Sequence, residues 1–522
     1  MRPGQQPSRR DVLRGGLVLG GAAAATTLFG APASAALVRA GRPRLTHGIQ
    51  SGDASPRGAT VWARADRHSR MVVEVSRSPE RFVPSHRVLG PVLTAEADYT
   101  GKVRLDGLPP GRDIGYRVTL VDLDDDSLSS EPKEGALRTA PRGHQDIRFV
   151  WSADLAGQGW GINPDFGGYR IFAAMQALAP DFYLCSGDTV YADGPIPPSQ
   201  PLPDGSIWRN LTTQAKSKVA ETLEEFRGNY QYNLMDENLL RFNAAVAQVN
   251  QWDDHETVNN WWPGEILDDP RYTEKRVDVL AARANRAFFE YLPISERPAD
   301  PEGRIYRVLH YGPLLDVFVL DMKSDRDPNG PNRYTEPRGG ILGFHQLDWL
   351  QRNLAASTAT WKVIAADQPL GLVVPDGEMA FEAVAQGDPG RPLGREMQIA
   401  ELLSFAHRRG ITGLVWLTAD VHYTAAHYYD PQRATFSEFT PFWEFVSGPL
   451  NAGGFGPSEL DATFGPQVRF QQAPPMANAS PASGFQFFGE VAIDGASQVM
   501  AVRLRDLSGQ ILHTVELDPA GD

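Results

Sequence analysis

Asp181-Phe182-Tyr183-Leu184-Cys185-Ser186-Gly187-Asp188-Thr189-Val190-Tyr191 begins as an apolar run and ends abruptly in small and acidic residues. A short, uninterrupted apolar run marks a strand buried on both faces, as in a parallel sheet covered by helices. Its polar end falls where open α/β sheets keep their ligand crevice, outside the carboxyl ends of the strands. The same texture recurs on either side. Ile147 to Trp151 leads into Ser152-Ala153-Asp154, and Gln251-Trp252 leads into Asp253-Asp254-His255-Glu256, with Asn259 and Asn260 close behind. Trp361 to Ala366 runs into Asp367-Gln368-Pro369, and Gly413 to Leu417 into Thr418-Ala419-Asp420-Val421-His422. Leu315 to Leu320 is a further strand pattern. Helical patterns at 168–175, 346–354 and 395–408 separate several of these runs. The sequence therefore predicts an α/β sheet buried on both faces.

Five such loops converging on one crevice bring together several carboxylates, the imidazoles of His255 and His422 and the phenol of Tyr191. Carboxylates at short range repel, and such a group is tolerated only when paired or bound to cations. Oxygen-rich ligation with little imidazole and no thiolate favours Ca²⁺, Mg²⁺, Mn²⁺ or Fe³⁺ over zinc. Each fragment alone is weak, since a lone Gly-Asp after a strand is more often a turn or a helix cap. Asp-Asp-His-Glu is stronger, because four adjacent titratable groups make a poor core. The ordered series as a whole points to a metal centre. His427 and Asp430 read as structural.

Upstream, residues 44–140 read as an all-β sandwich domain, with short β-rich runs punctuated by Ser55-Pro56-Arg57-Gly58 and Leu108-Pro109-Pro110-Gly111. Asp122, Asp124, Asp125 and Asp126 form an acidic cluster that reads as a solvated hairpin turn rather than a calcium loop. Residues 1–35 read as an export signal. Ser8-Arg9-Arg10-Asp11-Val12-Leu13 resembles the twin-arginine motif, and an apolar stretch from Leu17 to Phe29 and the small-residue site Ala33-Ser34-Ala35 follow it. Cleavage after Ala35 leaves no further run of spanning length, so no stable membrane anchor is expected. Residues 146–522 are then expected to form the α/β domain that carries the acids, exported to the periplasm or the extracellular space.

Composition bounds the rest. With 42% hydrophobic and 22% charged residues the chain is not a disordered one. Formal net charge is −14, and because the first 35 residues are net basic the mature body is more acidic still. That balance argues against nucleic-acid binding, which needs clustered Lys and Arg. Cys185 is the only cysteine, which excludes an intrachain disulfide, an Fe–S cluster and a Cys-based zinc site.

The ordered acids resemble the calcineurin-like metallophosphoesterases, and more closely the alkaline phosphatase D (PhoD-like) family over nearly the whole mature length. The motifs that carry the resemblance are His47-Gly48-Ile49-Gln50-Ser51-Gly52-Asp53 with Val61-Trp62-Ala63-Arg64, Ser186 to Tyr191, Trp252 to Glu256, Leu320-Asp321-Met322-Lys323-Ser324, Gly343-Phe344-His345-Gln346 and Asp420-Val421-His422. The resemblance implies that residues 146–522 are the catalytic domain, a four-layer α/β fold of two packed sheets flanked by helices. It implies iron (Fe³⁺) with calcium as cofactors, manganese or another divalent ion being the alternative. It implies a phosphoric ester hydrolase acting on small phosphate mono- and diesters through a metal-activated hydroxide. Phospholipase D-type cleavage of lipid headgroups and non-catalytic metal or phosphate binding are the alternatives.

Residue by residue, Asp188 takes the bridging-carboxylate position and Tyr191 the phenolate ligand of ferric iron. Asp254, Asp367, Asp420 and His422 match metal-ligand positions, and His255 matches the catalytic histidine, oriented by Asp253 or Glu256. The chain departs from the family in the first loop, where Asp154 is the candidate replacement for a ligating cysteine. Lys323 stands where an arginine is usual, making the expected phosphate contact a point charge, with Arg326 nearby. Pro441 to Phe445 and Ser447 to Asn451 mark a branch whose substrate the sequence does not name.

Overall fold

Strands that end in the acidic loops show no alternation of exposure: Ile147–Ser152, Phe182–Ser186, Ala247–Gln251, Leu315–Val319, Trp361–Ala365 and Leu414–Thr418 are buried nearly throughout. Successive side chains point to opposite faces of a sheet, so both faces must be covered. The computed structural model describes residues 41–295, 303–336 and 340–519. The export signal expected at 1–35 lies outside the described residues.

Two large sheets carry these strands. The first runs in the order Ile511–Leu517, Met500–Asp506, Phe487–Ile493, Ile147–Ser152, Phe182–Ser186, Ala247–Gln251, Leu45–Ser55, Gly58–Ala65 and Thr100–Asp106. The second runs Arg307–His310, Leu315–Val319, Trp361–Ala365, Leu414–Thr418, Phe442–Val446, Thr424–Tyr429 and Pro466–Gln472. Pairing is parallel from 147–152 through 182–186 to 247–251, and from 315–319 through 361–365 and 414–418 to 442–446. Within each sheet the acidic loops therefore leave from one edge.

One apolar core takes Phe149, Trp151, Leu184 and Val249 from the first sheet and Val317, Val363, Val415 and Phe445 from the second. The intervening residues face outward. Val150, Tyr183 and Cys185 pack with residues of Ile171–Ala177, Glu237–Ala245 and Val277–Tyr291, and Phe318, Ile364 and Trp416 pack with Gly343–Ala356 and Glu396–Arg408. The layers run helices, sheet, sheet, helices. No helix of the described residues is long and apolar enough to cross a membrane.

Residues 44–140 are β-rich and two-layered, but only one layer is a sheet of its own. Pro84–Leu93, Ser69–Ser76, Asp113–Asp122 and Lys133–Arg138 form a four-stranded sheet. Leu45–Ser55, by contrast, pairs with Ala247–Gln251 and carries Gly58–Ala65 and Thr100–Asp106 into the first large sheet. Gly52 makes this approach possible, since a Cβ there would lie 2.8 Å from Gln248 O and 2.6 Å from Pro293 O. The acidic cluster is a turn: Asp122 Oδ1 accepts the amides of Asp124 (2.9 Å) and Asp125 (3.2 Å).

Away from the acidic rim, Glu396 accepts hydrogen bonds at Oε2 from the Leu393 amide (3.1 Å) and Gln386 Nε2 (3.2 Å), while Oε1 has no partner. Burial, with the charge of Asp461, pushes its carboxyl up to about 8 from an ordinary 4.5. The contribution to stability is complete below the unfolded value and is lost as pH rises through the folded one, at up to about 1.4 kcal/mol per pH unit. Glu396→Gln is expected to leave the melting temperature unchanged near pH 5 and to raise it at pH 9. Calorimetry at the two pH values decides this, and equal stability at pH 9 rejects it.

Candidate metal centre

The rim is built from residues in a backbone conformation that most side chains avoid. Asp154 (φ 67°), Asp188 (φ 49°), Asp420 (φ 67°) and His422 (φ 59°) are all left-handed, the three aspartates two residues past a strand end and His422 two before the strand that follows. Such positions cost of order 1–3 kcal/mol and persist where surrounding structure imposes them. The two sheets meet through these loops. Trp151 Nε1 donates to Thr418 O at 3.3 Å, and the Leu450 amide donates to Ala153 O at 2.8 Å. Gly448 faces Asp154 so closely that a Cβ would lie 2.2 Å from Oδ2. Gly448→Ala is therefore expected to displace the Asp154 carboxylate and lower metal retention at least about tenfold, the scale of a disturbed ligand orientation. Metal content after gel filtration, with the circular dichroism spectrum unchanged, is the check; wild-type retention would reject it.

Asp154, Asp188 and His422 form a first group, with ligand atoms within 4.8 Å of one another. His422 Nδ1 lies against Gly453 O. A carbonyl can only accept, so Nδ1 carries the hydrogen and Nε2 presents a lone pair to the group. That lone pair lies 2.8 Å from Tyr191 Oη and 3.6 Å from Asp154 Oδ1. Burial pushes the His422 imidazole down to about 4, so it is neutral at ordinary pH. Both oxygens of Asp154, 0% exposed, have no hydrogen-bond partner.

Asp188 is shared with a second group, completed by Asp254 and His255. The His255 amide donates to Asp188 Oδ1 at 3.2 Å, and its ring stacks on Tyr191 with centroids 4.1 Å apart. Its Nδ1 lies 2.8 Å from Asp193 Oδ1. Burial opposes charge on this ring, but Asp193, Asp254 and Asp188 outweigh it and hold the imidazolium well above the ordinary range. Asp193 is thus the orienting carboxylate. Asp253 and Glu256, expected in that role, are engaged elsewhere: Asp253 pairs with Lys323, and Glu256 accepts the amides of Thr189 (2.7 Å) and Asp253 (2.8 Å).

Asp253, Asp254, Glu382 and Asp420 form a third group. Lys323 differs from its expected place at the substrate. Its side chain is 0% exposed, with Nζ 2.7 Å from Asp253 Oδ1 and against Glu382 Oε1. Arg326, also buried, reaches Glu382. Asp367 lies outside the three groups but beside Asp253, with both oxygens buried and unpartnered. Burial and mutual repulsion push Asp154, Asp188, Asp367 and Asp420 well above the carboxylate range. Acids so placed ionise together only beside a cation. The donors are oxygens with one neutral imidazole, so the residues present fit hard metal ions.

Three residues of the site carry no strand-end signal. Asp193 follows Tyr191 by two positions, and that spacing in the same loop is the only hint of it. Glu382 arrives from a loop far along the chain. Lys216 is buried, lowered to about 7 by that burial, and its Nζ donates to Tyr191 O at 2.6 Å, fixing the loop that carries Tyr191 and Asp193.

Packed sheets that deliver their acids to one shared rim are consistent with the metallophosphoesterase class. A model of the PhoD-like phosphatase family matches residues 149–504, and a model of that family's N-terminal domain matches residues 31–141. The chain belongs to the PhoD-like phosphatase family. It is 28% identical over 311 residues to alkaline phosphatase D of Bacillus subtilis (strain 168), a match spanning 56% of this chain and about half (50%) of that relative's length. A solved structure of PhoD aligns with a TM-score of 0.67 and 20% identity, covering 91% of each chain. Purple acid phosphatase PPD1 from yellow lupin (Lupinus luteus) seeds aligns at 0.54 with 14% identity, over 91% of this chain and 74% of that one. Both likenesses are of fold.

Proposed function

We propose that this chain hydrolyses small phosphate mono- and diesters, using two hard metal ions at the rim. Iron and calcium suit the phenol and carboxylate donors, and manganese or another divalent ion is the alternative. The observation that carries this reading is the set of buried, unpartnered carboxylates around Asp188, beside a histidine charged by its own carboxylate. Once bound, the ions supply positive charge to the phosphoryl oxygens and acidify a water molecule.

The protein's own groups do the rest. Asp154, Tyr191 and His422 would hold one ion and Asp254 the other, with Asp188 belonging to both groups of ligand atoms; Asp367 and Asp420 complete the acidic rim. His255, fixed through Nδ1 by Asp193, keeps Nε2 free to give its proton to the departing oxygen. Lys323 pairs with Asp253 and lies against Glu382. We assign residues 1–35 to twin-arginine export with cleavage after Ala35, residues 44–140 to the N-terminal β unit and residues 146–522 to catalysis.

Assays with p-nitrophenyl phosphate and bis-p-nitrophenyl phosphate, before and after chelation, test the reading. Activity is expected to vanish with the metal and return with Ca²⁺ plus an iron or manganese salt. Activity that survives exhaustive metal removal overturns it.

A further inference from the structure

The third carboxylate group differs from the other two in that a lysine ammonium already sits among its oxygens. Lys323 Nζ lies 2.7 Å from Asp253 Oδ1 and against Glu382 Oε1, inside a shell that leaves the side chain 0% exposed. Arg326 Nη1 lies 3.4 Å from the same Glu382 oxygen, and its Nη2 donates to Glu382 O. Arg395 Nη1 donates to that carbonyl as well, at 2.7 Å. Two of the four acids in the group are thus neutralised from within. The first group has no such partner: Asp154 is buried with both oxygens unpartnered, and no lysine or arginine pairs with it among the described residues. An ammonium held at hydrogen-bond distance from Asp253 and Glu382 occupies space a metal ion would need. It also repels a divalent ion brought to the same oxygens.

We propose that Lys323 is a built-in cation: its ammonium takes the place of a further metal ion among Asp253, Glu382 and Asp420, so the chain binds two ions rather than three. This deepens, and rests on, the two-ion reading above. It also explains why Lys323 does not face substrate. An ammonium released to contact a phosphate would leave buried Asp253 without a cation and Glu382 with only the 3.4 Å contact to Arg326, a costly exchange. Three donor hydrogens and a single charge suit the role, because a compact ammonium fits between two carboxylates where a planar guanidinium presents a wider fork.

The test is a metal count on the full chain, stripped by chelation and dialysed against Mn²⁺ or Ca²⁺ alone, with bound metal read by elemental analysis. The wild-type chain is expected to bind two equivalents. Lys323→Met is expected to bind a third, at a free metal concentration at least tenfold below any further uptake by the wild type. Lys323→Arg, which keeps the charge, is expected to stay at two. Three equivalents on the wild-type chain overturn the proposal without any variant, so the test stands even if Lys323→Met does not fold. Two equivalents on both wild type and Lys323→Met, with equal affinities, overturn it alone and leave the two-ion reading intact. A wild-type chain that retains no metal overturns both.

Discussion

Asp188→Ala is expected to lose metal and hydrolysis together, on monoester and diester alike. Asp188 is the one residue common to the first and second groups, so on the two-ion proposal its removal takes a ligand from each ion at once. Disturbing a residue that merely orients a ligand already costs 10–100-fold in metal affinity. Loss of a shared ligand should exceed that, and the transition-state stabilisation that departs with the ions, several kcal/mol, amounts to a rate loss of about 10³-fold or more. The left-handed backbone at this position (φ 49°) is imposed by the loop and is strained for alanine as well, so folding should be checked by circular dichroism. Asp188→Asn separates shape from charge: it keeps the acceptor for the His255 amide yet should still release metal. Elemental analysis beside rates on both substrates is the measurement. An Asp188→Ala chain with full metal occupancy would remove Asp188 from the metal centre.

Much of this was legible because the physics is local. A strand that must be buried on both faces reads as an apolar run, and Phe182 to Cys185 and Val363 to Ala366 are such runs. The rim acids were legible as candidates for the same reason, lying two or three residues beyond the strand ends. Asp193 and Glu382 were not, because nothing in their local sequence distinguishes a carboxylate that faces His255 or Lys323 from one that faces water. Their roles come from contacts made across 62 and 59 residues of chain. The place of Lys323 was misjudged by the same limit. A lysine after a strand suggests a substrate contact, and only the burial of Asp253 and Glu382 around it turns it inward. The fused first sheet was equally hidden, since the meeting of Gly52 with Gln248 joins segments almost two hundred residues apart in sequence.

His255→Ala should leave metal in place and lose rate in proportion to how much the leaving group needs a proton. The first group does not include His255, and Asp188 and Asp254 persist in the second. What disappears is an imidazolium held by Asp193 at 2.8 Å through Nδ1, with Nε2 as the remaining donor. General acid catalysis by a positioned side chain contributes typically about 10²–10⁴-fold. The full loss should fall on an alkyl phosphate, whose alkoxide departs poorly without a proton. It should shrink on p-nitrophenyl phosphate, whose phenolate departs with little protonation. Asp193→Asn should behave as a weaker version of the same change, since the ring stays but loses the charge that keeps it protonated. The dependence on leaving group is the discriminating signature, because a structural collapse or a lost metal would lower both substrates alike. Equal losses on both, with metal retained, would take the proton-donor role from His255 and leave it a group that orients the phosphate.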